Sequence, residues 1–157
     1  MANILYHDWE ADTYDEKWSI SFDERCITYA RDRFVNVAGA AEVPYGRALE
    51  LGSGTGFFLL NLKQAGILDG GCVTDLSPGM VAAALRNAEL LGFQIDGEVV
   101  DAEALPFEDE SFDLVVGHAV LHHIPMHRRL TCKYKPTTRT QNSQNLSKCG
   151  LYVRNVM

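Results

Sequence analysis

The last 32 residues of this 157-residue chain, Met126–Met157, contain no aspartate or glutamate. All 21 acidic residues fall in Met1–Pro125 beside seven of the 14 lysines and arginines, so that part carries −14 and the remainder +7. The overall −7 describes neither part. Cysteine is sparse as well. Cys26, Cys72, Cys132 and Cys149 show no C-x-x-C spacing, which argues against a zinc knuckle or a disulfide scaffold and for a reducing, cytoplasmic setting. Long apolar runs are missing, and Leu114–Leu121 falls far short of the ~20 residues a membrane helix needs. The acidic start MANILYHDWEADTYDE lacks the basic, then apolar, order of a secretory leader. With 46% hydrophobic and 22% charged residues, the composition excludes global disorder and collagen-like repeats.

What is present reads as one α/β domain. Residues 1–40 form an acidic, aromatic arm (Tyr6, Trp9, Tyr14, Trp18) followed by a helix. Ser21 and Glu24 have the spacing of a capping box, and Ile27, Ala30, Phe34 and Val37 recur at helical spacing toward Gly39. Residues 41–125 then alternate strands and helices. Strands are predicted at Arg47–Leu51, Gly71–Asp75, Gln94–Val100 and Phe112–Gly117. One helix fills Phe57–Ala65 before Gly66. A second starts at Ser77-Pro78, carries Val81, Leu85 and Ala88 on one face and stops at Gly92. Such alternation implies a parallel sheet with helices on both faces. Residues 126–157 have no sustained period and too little apolar material to bury, so an irregular, disordered tail is expected.

The first strand runs into Gly52-Ser53-Gly54-Thr55-Gly56, where glycines let backbone approach a ligand at a helix N-terminus. A Walker loop would need Lys-Ser/Thr after the last glycine, and Phe57-Phe58 stands there instead. The dinucleotide fingerprint counted from Gly52 would need a third glycine at position 57, which is Phe57; this weakens the alternative of an NAD-binding enzyme. What remains is G-x-G-x-G preceded by Glu50, with no cation in the loop.

Four blocks, in this order, resemble the class I S-adenosylmethionine-dependent methyltransferases of the small-molecule, type 11-like group. They are ELGSGTG at Glu50–Gly56, DLSPGM at Asp75–Met80, VDAEALPF at Val100–Phe107 and FDLVVGHAVLHHIP at Phe112–Pro125. The resemblance implies a Rossmann-like fold, S-adenosylmethionine as cofactor and methyl transfer to a small-molecule acceptor. It also implies roles. Gly52, Ser53, Gly54 and Gly56 form the loop; Glu50 orients that loop and the cationic methionine end, or else is only a strand-end charge. Asp75 accepts the ribose hydroxyls, or else is only an exposed helix-capping carboxylate. Leu76 and Met80 pack on adenine. Asp101 accepts from the adenine amino group, unless it is a solvated turn residue, while the Ala102 backbone reads the ring. The His118 backbone serves the methionine end. Tyr14-Asp15 resembles the family's arm element, whose aromatic ring closes over the methionine moiety; filling the core is the other reading of Tyr14.

His118 and His122 are four apart, but Ala119 replaces the glutamate of H-E-x-x-H, and no metal is expected. His122 or His123 is a candidate general base, with structural packing as the alternative. The basic tail lacks regularly spaced aromatics for nucleic-acid stacking, so no nucleic-acid partner is expected. The family sheet has seven strands, and only about four are readable here. That suggests a C-terminally truncated or frame-shifted chain, able to bind S-adenosylmethionine with or without turnover. It would also leave the fourth strand as an exposed apolar edge open to self-association.

Overall fold

The computed structural model describes residues 9, 11, 13–39 and 44–120, together with the backbone of 151–154. In chain order the elements are α1 (Tyr14–Trp18), α2 (Glu24–Ala38), β1 (Tyr45–Leu51), α3 (Phe57–Gln64) and β2 (Leu68–Asp75). There follow α4 (Pro78–Leu90), β3 (Asp96–Val99), β4 (Leu114–His118) and β5 (Leu151–Arg154). The strands form one sheet in the order β3-β2-β1-β4-β5, parallel at every pairing.

Connection handedness decides which face each segment covers. From β1 the chain steps to β2 and on to β3 in one direction, through α3 and α4. Two right-handed crossovers stepping the same way lay both helices on the same face. β4 then returns to the other side of β1, so the stretch 100–113 crosses the opposite face. The packing agrees with this. Ala48, Val73, Leu114 and Val116 share a core with Phe34 of α2, Leu59 and Leu62 of α3 and Ala84 of α4. The alternate residues Leu49, Leu51, Cys72 and Val115 pack with Phe112 beneath Ala102, Leu105 and Phe107. Phe107 meets Phe112 edge-on at 5.0 Å. The Rossmann-like parallel sheet is therefore as read from the sequence, but among the described residues the helices that pack on it lie on one face. Turns and two phenylalanines close the other.

β5 adds a strand to the four read from the sequence. Val115, Val116, Gly117 and His118 pair in register with Leu151, Tyr152, Val153 and Arg154, inside the segment read as an irregular tail. Leu-Tyr-Val suits a pleated strand, and the unpaired edge of β4 supplies the template. The β4 edge proposed for self-association is thus occupied by the chain itself. Residues 121–150 and 155–157, with His122, His123, Cys132 and Cys149, lie outside the described residues, as do Tyr6 and the rest of 1–8.

Helix caps refine the boundaries. α2 starts two residues later than the capping box implies, because Asp23 is the N-cap and its carboxylate accepts from the Cys26 N–H at 3.1 Å. Ser21 Oγ instead accepts from the Asp23 N–H at 3.2 Å. A charged acceptor at 23 outcompetes a hydroxyl at 21. α4 starts as expected. Ser77 Oγ accepts from the Met80 N–H at 3.1 Å, and Pro78 occupies the first turn. Ser77 is 1% exposed, so water cannot replace its hydroxyl. Ser77→Ala should lower stability by about 1 kcal/mol, read as a shift in the urea midpoint; an unchanged midpoint would remove the cap from the account.

Candidate functional site

β1 and β4 are neighbours whose connections leave toward opposite faces, and such a switch point opens a crevice at the strands' carboxyl ends. A cavity of about 680 Å³ lies there, lined by Gly52, Ser53 and Gly54 after β1 and by Asp75 at the end of β2. Asp101 after β3, His118 at the end of β4 and Tyr14 of α1 complete its rim.

Gly52, Gly54 and Gly56 have φ of +56°, +53° and +83°. The Ser53 N–H donates to the Thr74 carbonyl at 2.9 Å, and the Gly54 N–H donates to Asp75 Oδ2 at 3.0 Å. The loop is therefore tied to the end of β2. Asp75 Oδ1 accepts from the Ser77 N–H, also at 3.0 Å. A carboxylate offers about four acceptor positions, and these two bonds leave half of them for a ligand in the cavity. Asp75 is neither exposed nor the helix cap; Ser77 is the cap.

Glu50 sits behind the loop and is 1% exposed. Its Oε2 accepts from the Leu59 N–H of α3 at 3.0 Å. Burial pushes its carboxyl up to about 8; the Leu59 N–H opposes the rise and the Asp75 charge adds to it. Glu50 thus joins loop to helix and is not among the residues that line the cavity. Gly56 does not line it either. A β-carbon at Gly56 would lie 3.1 Å from both Ala84 Cβ and Leu60 Cδ1, so this glycine serves helix packing. The other ten sequence-predicted residues, Tyr14, Gly52, Ser53, Gly54, Asp75, Leu76, Met80, Asp101, Ala102 and His118, are brought together around the cavity.

The arm is fastened by a residue to which the sequence assigned no role of its own. Thr55 Oγ1 donates to Asp15 Oδ1 at 2.5 Å and Asn87 Nδ2 donates to Asp15 Oδ2 at 3.1 Å. This clamp sets Tyr14 over the loop, its Cε1 4.0 Å from where a Gly54 β-carbon would stand. Trp18, an arm aromatic that the sequence offers as core or lid, also lines the cavity, as do Arg25, Cys26, Tyr29 and Phe57, which the sequence does not single out because on helices they read as core or surface positions. Tyr29 Oη lies 3.2 Å from His118 Nε2. The imidazole stacks on Phe58 at 5.0 Å. Burial, with Arg33 adding to it, holds His118 below the usual histidine range. Among the described residues no three His, Cys, Asp or Glu side chains are grouped as a metal site requires, and no helix is long and apolar enough to cross a membrane.

A parallel sheet with a cation-free glycine loop, and with carboxylates ending β2 and following β3, defines a Rossmann-like domain. The chain belongs to the methyltransferase domain family, whose model matches residues 49–136. It is 40% identical over 93 residues to a demethylmenaquinone methyltransferase of Roseiflexus castenholzii, a match covering 59% of this chain and 38% of the relative. The YcgJ protein of Bacillus subtilis aligns with a TM-score of 0.56 and 25% identity, over 66% of this chain and 43% of that one. An N-methyltransferase 2 of Haemonchus contortus, in complex with phosphomonomethylethanolamine and S-adenosylhomocysteine, aligns with a TM-score of 0.57 and 25% identity. That alignment covers 66% of this chain and 24% of that one. The chain therefore spans well under half the length of these relatives.

Proposed function

We propose that the chain binds S-adenosylmethionine in this cavity and transfers its methyl group to a small-molecule acceptor. The observation that carries the reading is Asp75: a half-buried carboxylate at the end of β2, locked by two backbone N–H groups, with acceptor capacity left for a pair of vicinal hydroxyls. The S-adenosylhomocysteine of the Haemonchus complex supports the same ligand class. Bound S-adenosylmethionine supplies a methyl group activated by a positively charged sulfur.

The chain's residues suit its parts. Asp75 would take the ribose hydroxyls, Leu76 and Met80 the adenine faces, and Asp101 with the Ala102 backbone the adenine edge. Gly52–Gly54 admit the chain's backbone close to the methionine moiety, under Tyr14. Among the described residues acids outnumber cations along the lining, where Asp75, Asp101 and Glu103 face a single Arg25, and this favours a cationic ligand over a phosphorylated one. Alignment of acceptor, methyl carbon and sulfur is the main task left to the protein. The Roseiflexus relative's name makes a demethylmenaquinone-type ring the first acceptor to try, and the aromatic wall of Tyr29 and Phe57 suits a flat ring. Buried, unpaired Cys26 and Cys72 fit a reducing cytoplasm.

Calorimetric titration with S-adenosylmethionine tests the cofactor, and mass spectrometry of reduced demethylmenaquinone incubated with it tests transfer. Asp75→Asn weakens hydrogen bonds that involve a charged acceptor, worth about 1.5–3 kcal/mol, so affinity should fall roughly 10- to 100-fold. No heat from the unsubstituted chain would overturn the reading. Heat without product would leave it a binding domain only.

A further inference from the structure

The cavity wall between α2 and the end of β4 carries one polar pair in an aromatic setting. Tyr29 and His118 both line the cavity, with Tyr29 Oη 3.2 Å from Nε2 and the rings edge-on at 5.8 Å. Phe57 and Phe58 flank the imidazole at 5.7 and 5.0 Å. Burial disfavours the charged imidazole, and in the tautomer that carries its proton on Nδ1 the Nε2 lone pair accepts from the Tyr29 hydroxyl. Of the charged groups around the ring, Arg33 on α2 acts on it directly, and Arg33 also lies 5.1 Å over the Tyr29 ring. Arg25, further toward the start of α2, lines the same cavity. α3 offers only the two phenylalanines. On β1, Glu50 is turned away toward the Leu59 N–H, and β5 places Arg154 at the register position beside His118.

We infer that Tyr29 is the group that accepts the methyl acceptor's proton, with His118 behind it as the proton sink. This serves an acceptor whose attacking atom, or a hydroxyl conjugated to it, must be deprotonated. The inference rests on the methyl-transfer reading above. In the step, an electron pair of the acceptor forms the bond to the methyl carbon while the carbon–sulfur bond breaks and its pair returns to sulfur. The acceptor's proton passes to the Tyr29 oxygen as the Tyr29 proton passes to Nε2. The positive charge lost from sulfur ends on the imidazolium, and no further reactant is required. Burial and Arg33 disfavour that imidazolium, so it sheds the proton to water and the pair resets.

The test uses Tyr29→Phe, which removes one hydroxyl, and His118→Gln, with three readouts. Calorimetry with S-adenosylmethionine should give Tyr29→Phe an affinity within about threefold of the parent, because general-base catalysis and cofactor binding are separate contributions. With reduced demethylmenaquinone as probe, kcat should fall at least roughly tenfold in each variant while KM stays within about threefold, and the double variant should be no slower than the slower single one. The parent's kcat should rise with pH through the His118 titration, and His118→Gln should flatten that rise. In histidine-labelled protein followed by NMR, Tyr29→Phe should move the His118 titration upward, since a hydrogen bond to the neutral form is lost. Retained heat with unchanged kcat in both variants overturns the pair alone, as does an unmoved His118 titration. Binding by the parent without product also removes the catalytic role. Absence of heat from the parent overturns the cofactor reading on which the pair depends.

Discussion

Glu50→Gln is expected to abolish most of a steep loss of stability between pH 4.5 and 8. The Glu50 carboxyl titrates at 4.5 when unfolded and at about 8 in the folded chain, chiefly because burial strips the anion of water. Below pH 4.5 it is neutral in both states, and the folded chain has its full stability from this group. Between the two values the folded state keeps the proton and the unfolded state releases it, so stability falls as pH rises, until Glu50 ionises in both states above 8. At 1.36 kcal/mol per pH unit, the loss is roughly 4–5 kcal/mol. Glutamine keeps an oxygen to accept the Leu59 N–H and has nothing to titrate. Urea unfolding of both proteins from pH 5 to 8.5 should therefore give curves that diverge steadily, with the variant the more stable at the alkaline end. Parallel curves would show that the folded-state carboxyl is not raised. A cationic ligand in the neighbouring cavity favours the ionised carboxyl, so S-adenosylmethionine binding near pH 7.5 should release protons, seen as a buffer-dependent heat that Glu50→Gln loses.

Gly52→Ala is expected to cost about 2–5 kcal/mol, against about 1–2 kcal/mol for Gly54→Ala. Both positions hold a left-handed backbone, at +56° and +53°, which charges any other L-residue ~1–2 kcal/mol. They differ in what a β-carbon would meet. At Gly52 it would clash with Val120 Cγ2, whereas at Gly54 its nearest neighbour is Tyr14 Cε1 at 4.0 Å. Overpacking of that kind adds about 1–3 kcal/mol. Thermal and urea denaturation of the two variants measure the difference directly, and equal costs would rule out the Val120 contact. Both should also weaken S-adenosylmethionine binding. Gly54→Ala does so by projecting a methyl group into the cavity, and Gly52→Ala by displacing the loop.

Much of the scaffold was legible because it is written locally. The glycine run, the Ser77-Pro78 start and the stops at Gly66 and Gly92 each act within a few residues, and the observed elements end where those signals lie. The cavity-lining residues were legible through the family resemblance of the four blocks, and the fold explains why it works: in a parallel sheet the residues ending each strand converge at one edge, which brings Gly52, Asp75, Asp101 and His118 together. The contact that Glu50 makes was not legible. Nothing in ELGSGTG says whether its carboxylate turns into the cavity or back onto the Leu59 N–H.

The sequence by itself determined that this is a parallel α/β domain with a cation-free glycine loop and acidic strand ends, since strand-helix alternation and turn chemistry are short-range properties. Only the tertiary structure decided what depends on residues far apart in the chain. Among the described residues, the hand of successive crossovers placed the packed helices on one face, with Phe107 and Phe112 on the other. The open edge of β4 drew Leu151–Arg154 into the sheet. Asp15 reached across 40 residues to hold the arm through Thr55, and Tyr29 across 89 to meet His118. Such pairings depend on how the elements pack, and no local pattern of residue types encodes them.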